Sequence, residues 1–288
     1  QNPPRSHPRL LSRPEARSTW HHMKHRIPFL RRRRPTVGVI RLAGVIASGS
    51  RGHLNDARLA PMIEKAFTKG KPDAVALVLN SPGGSPVQSS LIAARIRRLA
   101  EDRNIPVHAF VEDVAASGGY WLACAADDIW VDENSILGSI GVISSGFGLD
   151  DFISRHGISR RVHTAGDAKS MLDPFQPEKP GDVKRLKTAL EHIHENFKSH
   201  VSARRAHRLN GDDTTFTGEF WVGRRAIEQG LADGVGHLTP KMKELYGDKT
   251  RFRVYGPKRG LFQRLGARVL SDALLELKER AEFARFGL

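Results

Sequence analysis

Residues 74–84 read AVALVLNSPGG. The first six are apolar without a break, and the last five are turn formers. So short a run, bounded by Asn, Pro and Gly, reads as a strand covered on both faces rather than as a helix. The glycines Gly83 and Gly84 allow a sharp reversal and let backbone N–H groups face open space. Beyond them, residues 87–100 carry Leu91, Ile92, Ile96 and Leu99 at helical spacing, with Arg95, Arg97 and Arg98 outward.

The same alternation continues on both sides. Residues 37–42 are a second apolar run, read as a buried strand. A helix capped by Asn55 or Asp56 fills 56–67, and Lys69-Gly70-Lys71-Pro72 stops it. Residues 106–111 read as a strand, 117–126 as a small-residue helix, and 129–131 as a further strand. This βαβα order predicts an α/β fold, a mostly parallel sheet covered by helices. Later residues predict a short helix from about Leu149, a strand over 160–163 and a long helix over 178–207. Helices over 217–230 and 240–246 and a strand over 251–255 follow. Residues 262–286 place Leu265, Val269, Ala273, Leu277 and Ala281 near helical spacing, which predicts an amphipathic C-terminal helix.

Of the 288 residues, 46 are Lys or Arg and 31 are Asp or Glu, a net charge of +15. The excess sits at the ends. Residues 1–36 hold ten basic residues against one acid, residues 249–288 ten against four, and the body between is balanced. A nucleic-acid-binding domain carries its basic patch on the folded body, so no nucleic-acid partner is expected. Segment 1–22 has little to bury and is expected to be disordered, with Met23 a candidate natural start. Ile27, Phe29 and Leu30 beside Arg31–Arg34 fit a solvated tail, or peripheral contact with an anionic lipid surface at about 1 kcal/mol per basic residue. No apolar run approaches the ~18 residues of a bilayer span. The expected location is therefore the cytoplasm or a membrane surface. The single cysteine, Cys124, excludes an internal disulfide and reads as a small buried residue. Trp121 and Trp130 read as core.

Two glycine-bearing turns could carry chemistry. In NSPGG (80–84) the free amides suit an oxyanion, though a tight strand-to-helix turn needs the same residues. In DVAASGGY (113–120) Ser117 opens a helix among small residues, one glycine short of G-x-S-x-G. An exposed nucleophile needs that setting, and so does a plain serine N-cap. An activating base is then required. His192, His194, His200 and His207 lie along one charged helix and read as surface residues. HENFK (194–198) lacks the second histidine of a zinc site, so no metal or other cofactor is expected. Lys169 lies in a loop of small and apolar residues, unlike most other lysines, but a loop lysine is ordinarily solvated.

The ordered set NSPGG (80–84), AASGGYW (115–121), LGSIGV (137–142) and AKSMLDPF (168–175) resembles the signal peptide peptidase A / protease IV family of serine peptidases. The resemblance covers about residues 37–250. It implies a ClpP/crotonase-like peptidase domain over 37–250, between the basic segment 1–36 and a C-terminal strand and helix over 251–288. It implies a Ser/Lys dyad: Ser117 as nucleophile, Lys169 as general base, and Ser139 orienting that lysine. The amides of Gly83 or Gly84, with that of Gly118, match the oxyanion hole. Peptide hydrolysis follows, of remnant signal peptides or other membrane-derived peptides. Single-repeat relatives form closed rings whose active sites can draw residues from neighbouring subunits, so a homo-oligomer is expected, with Lys169 serving either its own Ser117 or a neighbour's. Ser85 stands where some relatives have a third glycine and should leave the oxyanion donors intact. Asp167, two residues before Lys169, would hold the amine protonated if aimed at it, and is expected to point away. The alternatives are a crotonase-type acyl-CoA enzyme, which would use carboxylates and no serine nucleophile, and an inactive assembly protein on the same scaffold.

Overall fold

The computed structural model describes residues 33–49, 53–166, 168–256 and 280–288. The expectations for the basic N-terminal segment, for Asp167 and for most of the C-terminal helix lie outside these residues. In chain order the first elements are β1 (Thr36–Ala43), α1 (Asp56–Thr68), β2 (Ala74–Ser81), α2 (Pro86–Arg103), β3 (Val107–Ala116), α3 (Gly118–Ala123), β4 (Asp128–Val131) and β5 (Ile136–Gly138). After them come α4 (Asp150–Arg155), α5 (Pro180–Arg205), β6 (Phe220–Val222), α6 (Arg224–Glu228), β7 (Gly234–Val235), α7 (Leu238–Tyr246) and β8 (Arg251–Tyr255).

The strands form one sheet in the order β6-β5-β3-β2-β1-β8, with β4 branching from β3 and β7 pairing on β4. Every pairing is parallel except β5 with β6. The α/β architecture predicted from the alternation is therefore present. Both faces are covered, which is why β2 is an unbroken apolar run. Val75, Leu77 and Leu79 enter the larger core with Ile63, Ile92 and Ile96 of α1 and α2. Ala74, Ala76 and Val78 face Met242 of α7 on the other side. Asn55 caps α1 by accepting from the Arg58 amide at 3.0 Å. Ser85 caps α2, and Pro86 occupies its first turn, where a missing N–H costs nothing.

Three predicted elements differ. The strand expected to stop at residue 111 runs to Ala116. The charged Glu112 and Asp113 do not end it, because both side chains face outward, bonded to Arg41 and Asn80. The two branches share this long strand: its first half pairs β4 and its second half β5. Residues 160–163 are not a strand; they are largely exposed, and no described strand lies beside them to pair. The helix expected over 217–230 is instead β6, a glycine turn and α6. A Cβ on Gly223 would lie 1.8 Å from the Glu133 carbonyl, so the chain must turn there, and a continuous helix cannot form. No helix among the described residues is long and apolar enough to cross a membrane.

Candidate active site

β3 ends at Ala116 and α3 begins at Gly118, so Ser117 is the whole connection between them. Its backbone has φ +50° and ψ −121°, a conformation that side-chain-bearing residues rarely adopt. Strain of this kind, of order 1–3 kcal/mol, persists where surrounding contacts fix it. Here the Ser117 amide donates to the Gly138 carbonyl at 2.8 Å, and its carbonyl accepts from the Trp121 amide at 3.0 Å. The serine makes no side-chain cap bond. The plain N-cap alternative therefore fails; Ser117 is half-buried, and its Oγ has no partner among the described residues.

The NSPGG turn is packed against this elbow. A Cβ on Gly83 would sit 2.8 Å from Cβ of Ser117, and Gly83 has φ +107°. The Gly83 amide is turned to Ser81 Oγ at 3.3 Å, and its carbonyl accepts from Ile46 at 2.8 Å. Gly84, at φ +136°, has no acceptor for its amide among the described residues. Its nitrogen lies 3.3 Å from the Cβ position of Gly118, whose amide opens α3 and is equally unpaired. Between the two candidates, the geometry thus favours Gly84 with Gly118 as paired donors. Ser85, in place of a third glycine, spends its hydroxyl on capping α2 and does not disturb that pair.

Pro82, Gly84, Ser117, Gly118 and Ser139 line one cavity of about 780 Å³. Ser139 also has positive φ, +51°, and its amide donates to the Glu219 carbonyl at 2.6 Å. Lys169 is not among the described residues lining this cavity. It is exposed on a turn near residue 170, and no hydrogen bond or ion pair among the described residues holds its amine beside Ser117. The cavity also holds residues that sequence reading placed elsewhere. His194, read as a surface residue, lines it and bonds the Ile140 carbonyl through Nε2 at 3.0 Å. His200 is likewise not a surface residue. It stacks on Trp121 with ring centroids 4.5 Å apart, and burial lowers its pKa below 6.5. The surface reading holds for His192 and His207. Charge density along α5 hid the inward histidines; only their i, i+3 spacing with Phe197 could have shown a shared face. Cys124 is buried as expected, and burial pushes its thiol up to about 12, which removes it as a rival nucleophile.

The last described segment closes one side. Glu282, Arg285 and Phe286 line the cavity, while Phe283 and Phe286 pack on Val114, Ala116 and Ile136. Among the described residues no cluster of His, Cys, Asp or Glu could hold a metal ion.

A serine held at a strand-to-helix elbow, with unpaired glycine amides beside it in a cavity, defines a serine-hydrolase type of site. The model of peptidase family S49 matches residues 100–250, a stretch that holds Ser117, Ser139 and Lys169. The chain belongs to that family. Among curated relatives, "Na(+)/H(+) antiporter NhaA" of Brucella melitensis is 44% identical over 271 residues, 88% of this chain and 37% of that protein. "Serine protease SPPA, chloroplastic" of Arabidopsis thaliana is 30% identical, over 72% of this chain and 31% of that one. "Probable protease SohB" of Haemophilus influenzae is 31% identical, over 70% of this chain and 57% of that one. The chain thus spans little more than a third of the first of these relatives.

Proposed function

We propose that this chain is a serine endopeptidase in which Ser117 is the nucleophile and Lys169 of a neighbouring subunit is the general base. The observation that carries the reading is Ser117 itself: positive φ, an uncapped Oγ, and the free amides of Gly84 and Gly118 beside it. Family membership supports the reaction class.

The lysine's placement supports the shared site. An amine in open water keeps its proton at neutral pH, so a lysine acts as a base only once it is enclosed. Lys169 lies at the end of an excursion that leaves Phe147 87%, Phe152 58% and Ile158 56% exposed. Apolar surface left bare in this way by one chain is covered when a second copy packs on it. Such packing would carry Lys169 into the neighbour's Ser117 cavity, beside Ser139.

In the proposed reaction the neutral amine takes the Oγ proton as Oγ bonds to the peptide carbonyl carbon. The carbonyl oxygen becomes an oxyanion held by the Gly84 and Gly118 amides. The ammonium then gives its proton to the leaving amine as the C–N bond breaks. Water, deprotonated by the same lysine, releases the acyl group and restores the serine. Ile143, Trp121, Phe197 and Phe286 on the wall favour apolar side chains, which fits peptides released from membrane segments.

The crotonase-type alternative needs a carboxylate poised over the amides. Glu282 is the carboxylate among the described lining residues, and it sits 3.3 Å from Arg285. The antiporter activity named for the Brucella relatives is no part of this reading, because the shared stretch is 37% of those proteins and contains the peptidase motifs. The test is covalent labelling with a fluorophosphonate probe, run beside hydrolysis of a peptide library. Labelling mapped to Ser117, and loss of labelling and hydrolysis in Ser117→Ala, is the expected result. Hydrolysis that persists in Ser117→Ala would sink the assignment.

A further inference from the structure

We propose that His194 is a substrate-binding residue of the Ser117 cavity, accepting a backbone N–H of the bound peptide at its Nδ1. The proposal rests on the peptidase reading above. His194 projects from α5 into the cavity wall and is half-buried. Its Nε2 lies 3.0 Å from the Ile140 carbonyl oxygen. A carbonyl oxygen only accepts, so Nε2 must carry the hydrogen. In the neutral ring the other nitrogen then has a bare lone pair, which makes Nδ1 an acceptor by necessity.

That acceptor is unused. Nδ1 has no partner among the described residues, and it is not sealed off: the only buried side-chain polar atom left unpaired there is Asn80 Oδ1. The other polar side chains named on this wall differ from that acceptor. Ser139, Ser144, Ser145 and Thr217 carry hydroxyls that donate as readily as they accept. Arg285 only donates, and Glu282 lies within 3.3 Å of it. An extended peptide brings N–H groups out on alternate sides, and each that leaves water without an acceptor costs about 1–3 kcal/mol. A fixed acceptor whose tautomer is set by the protein meets one of them. The Ile140 bond also ties α5 to the loop after Ser139, so a purely structural role is the competing explanation.

Two variants separate these roles. His194→Arg can still donate an N–H to Ile140 but carries no acceptor; His194→Ala removes both. Each is assayed in the full chain against peptides carrying a single backbone N-methyl group at successive positions. The expected result is a KM raised about 3- to 10-fold in both variants with kcat little changed, the size of one net hydrogen bond. Wild-type enzyme should reject N-methylation at one position, and that rejection should vanish in His194→Arg. Wild-type KM in His194→Arg, or an unchanged N-methyl pattern, overturns the proposal. Fluorophosphonate labelling of Ser117 is measured in parallel. Labelling with an unchanged pattern fails His194 alone, whereas no labelling and no hydrolysis in the wild type fails the peptidase reading as well.

Discussion

The carbonyl oxygen of Ile46 stands 2.0 Å from where a side chain on Gly84 would begin. That carbonyl accepts the Ser85 amide at 2.7 Å, so the chain after β1 and the NSPGG turn are locked together. The lock leaves no room for a methyl group, and φ +136° at Gly84 would be strained for any other residue. It also aims the Gly84 amide at the space beside Ser117.

Gly84→Ala should therefore act on catalysis through the backbone. The clash has to be relieved by moving the turn, which displaces one oxyanion donor. The expected loss is about 10²–10³ in kcat, the cost of one such donor, with a smaller change in KM. Steady-state kinetics with a circular-dichroism check of folding measures it. An alanine variant within twofold of wild type would rule out this amide as a donor.

Much of this fold and part of this site are legible before any coordinates. AVALVL is apolar at every position because α2 and α7 cover both faces of β2, so the run itself reveals a sandwiched strand. Glycine pairs are legible because only glycine tolerates the contacts at 83 and 84. What sequence hides is orientation within a charged helix. His194 and His200 sit among Lys, Glu and Arg, yet one meets the cavity and the other stacks on Trp121. Sequence also cannot choose between Gly83 and Gly84, because the choice depends on which amide Ser81 Oγ takes. The end of β3 is hidden for a related reason: β3 is paired on both sides, and the exposed Glu112 and Asp113 are compatible with a strand that continues past them.

His200 should make stability depend on pH. Burial holds its folded-state pKa below the ordinary 6.5, with the Trp121 carbonyl bond at 3.1 Å opposing and Arg204 assisting. The unfolded chain thus binds the proton more readily than the folded one. The contribution is fully present above pH 6.5 and is lost as pH falls through the folded value. The predicted result is a melting temperature that declines on acidification below that point, with His200→Phe declining less. Equal slopes in the two proteins would remove His200 as the cause.

Asp233 should be a stability residue with no part in chemistry. It accepts from Arg205 at 2.7 Å, from Arg208 at 3.0 Å and from the Ile129 amide at 2.7 Å. Arg205 is 2% exposed and also gives two bonds to the Gly230 carbonyl, fastening α5 to the loop before β7. Asp233→Ala would leave that guanidinium buried without its counter-charge, a loss of about 3–5 kcal/mol. Urea unfolding should show a lower midpoint at unchanged slope. Arg205→Met added to Asp233→Ala should recover part of the loss, since it removes the stranded charge. Additive damage in the double variant would mean the two side chains do not act as a pair.

The shared dyad makes the sharpest prediction. Ser117→Ala and Lys169→Ala should each be inactive alone. If each site takes its serine from one subunit and its lysine from the next, mixed assemblies contain sites built from the intact serine of one variant and the intact lysine of the other. Random mixing in equal amounts restores about a quarter of the sites, by the statistics of a closed head-to-tail ring. Activity should therefore return on co-refolding or subunit exchange, and fluorophosphonate labelling should appear only on the subunits that keep Ser117. Phe147→Asp, which places charge on the exposed excursion at a residue outside the described cavity lining, should lower the assembled mass and the activity together. A mixture that stays inactive while native mass measurement shows mixed oligomers would place serine and lysine on the same chain, and would require the 168–172 turn to fold back onto its own cavity.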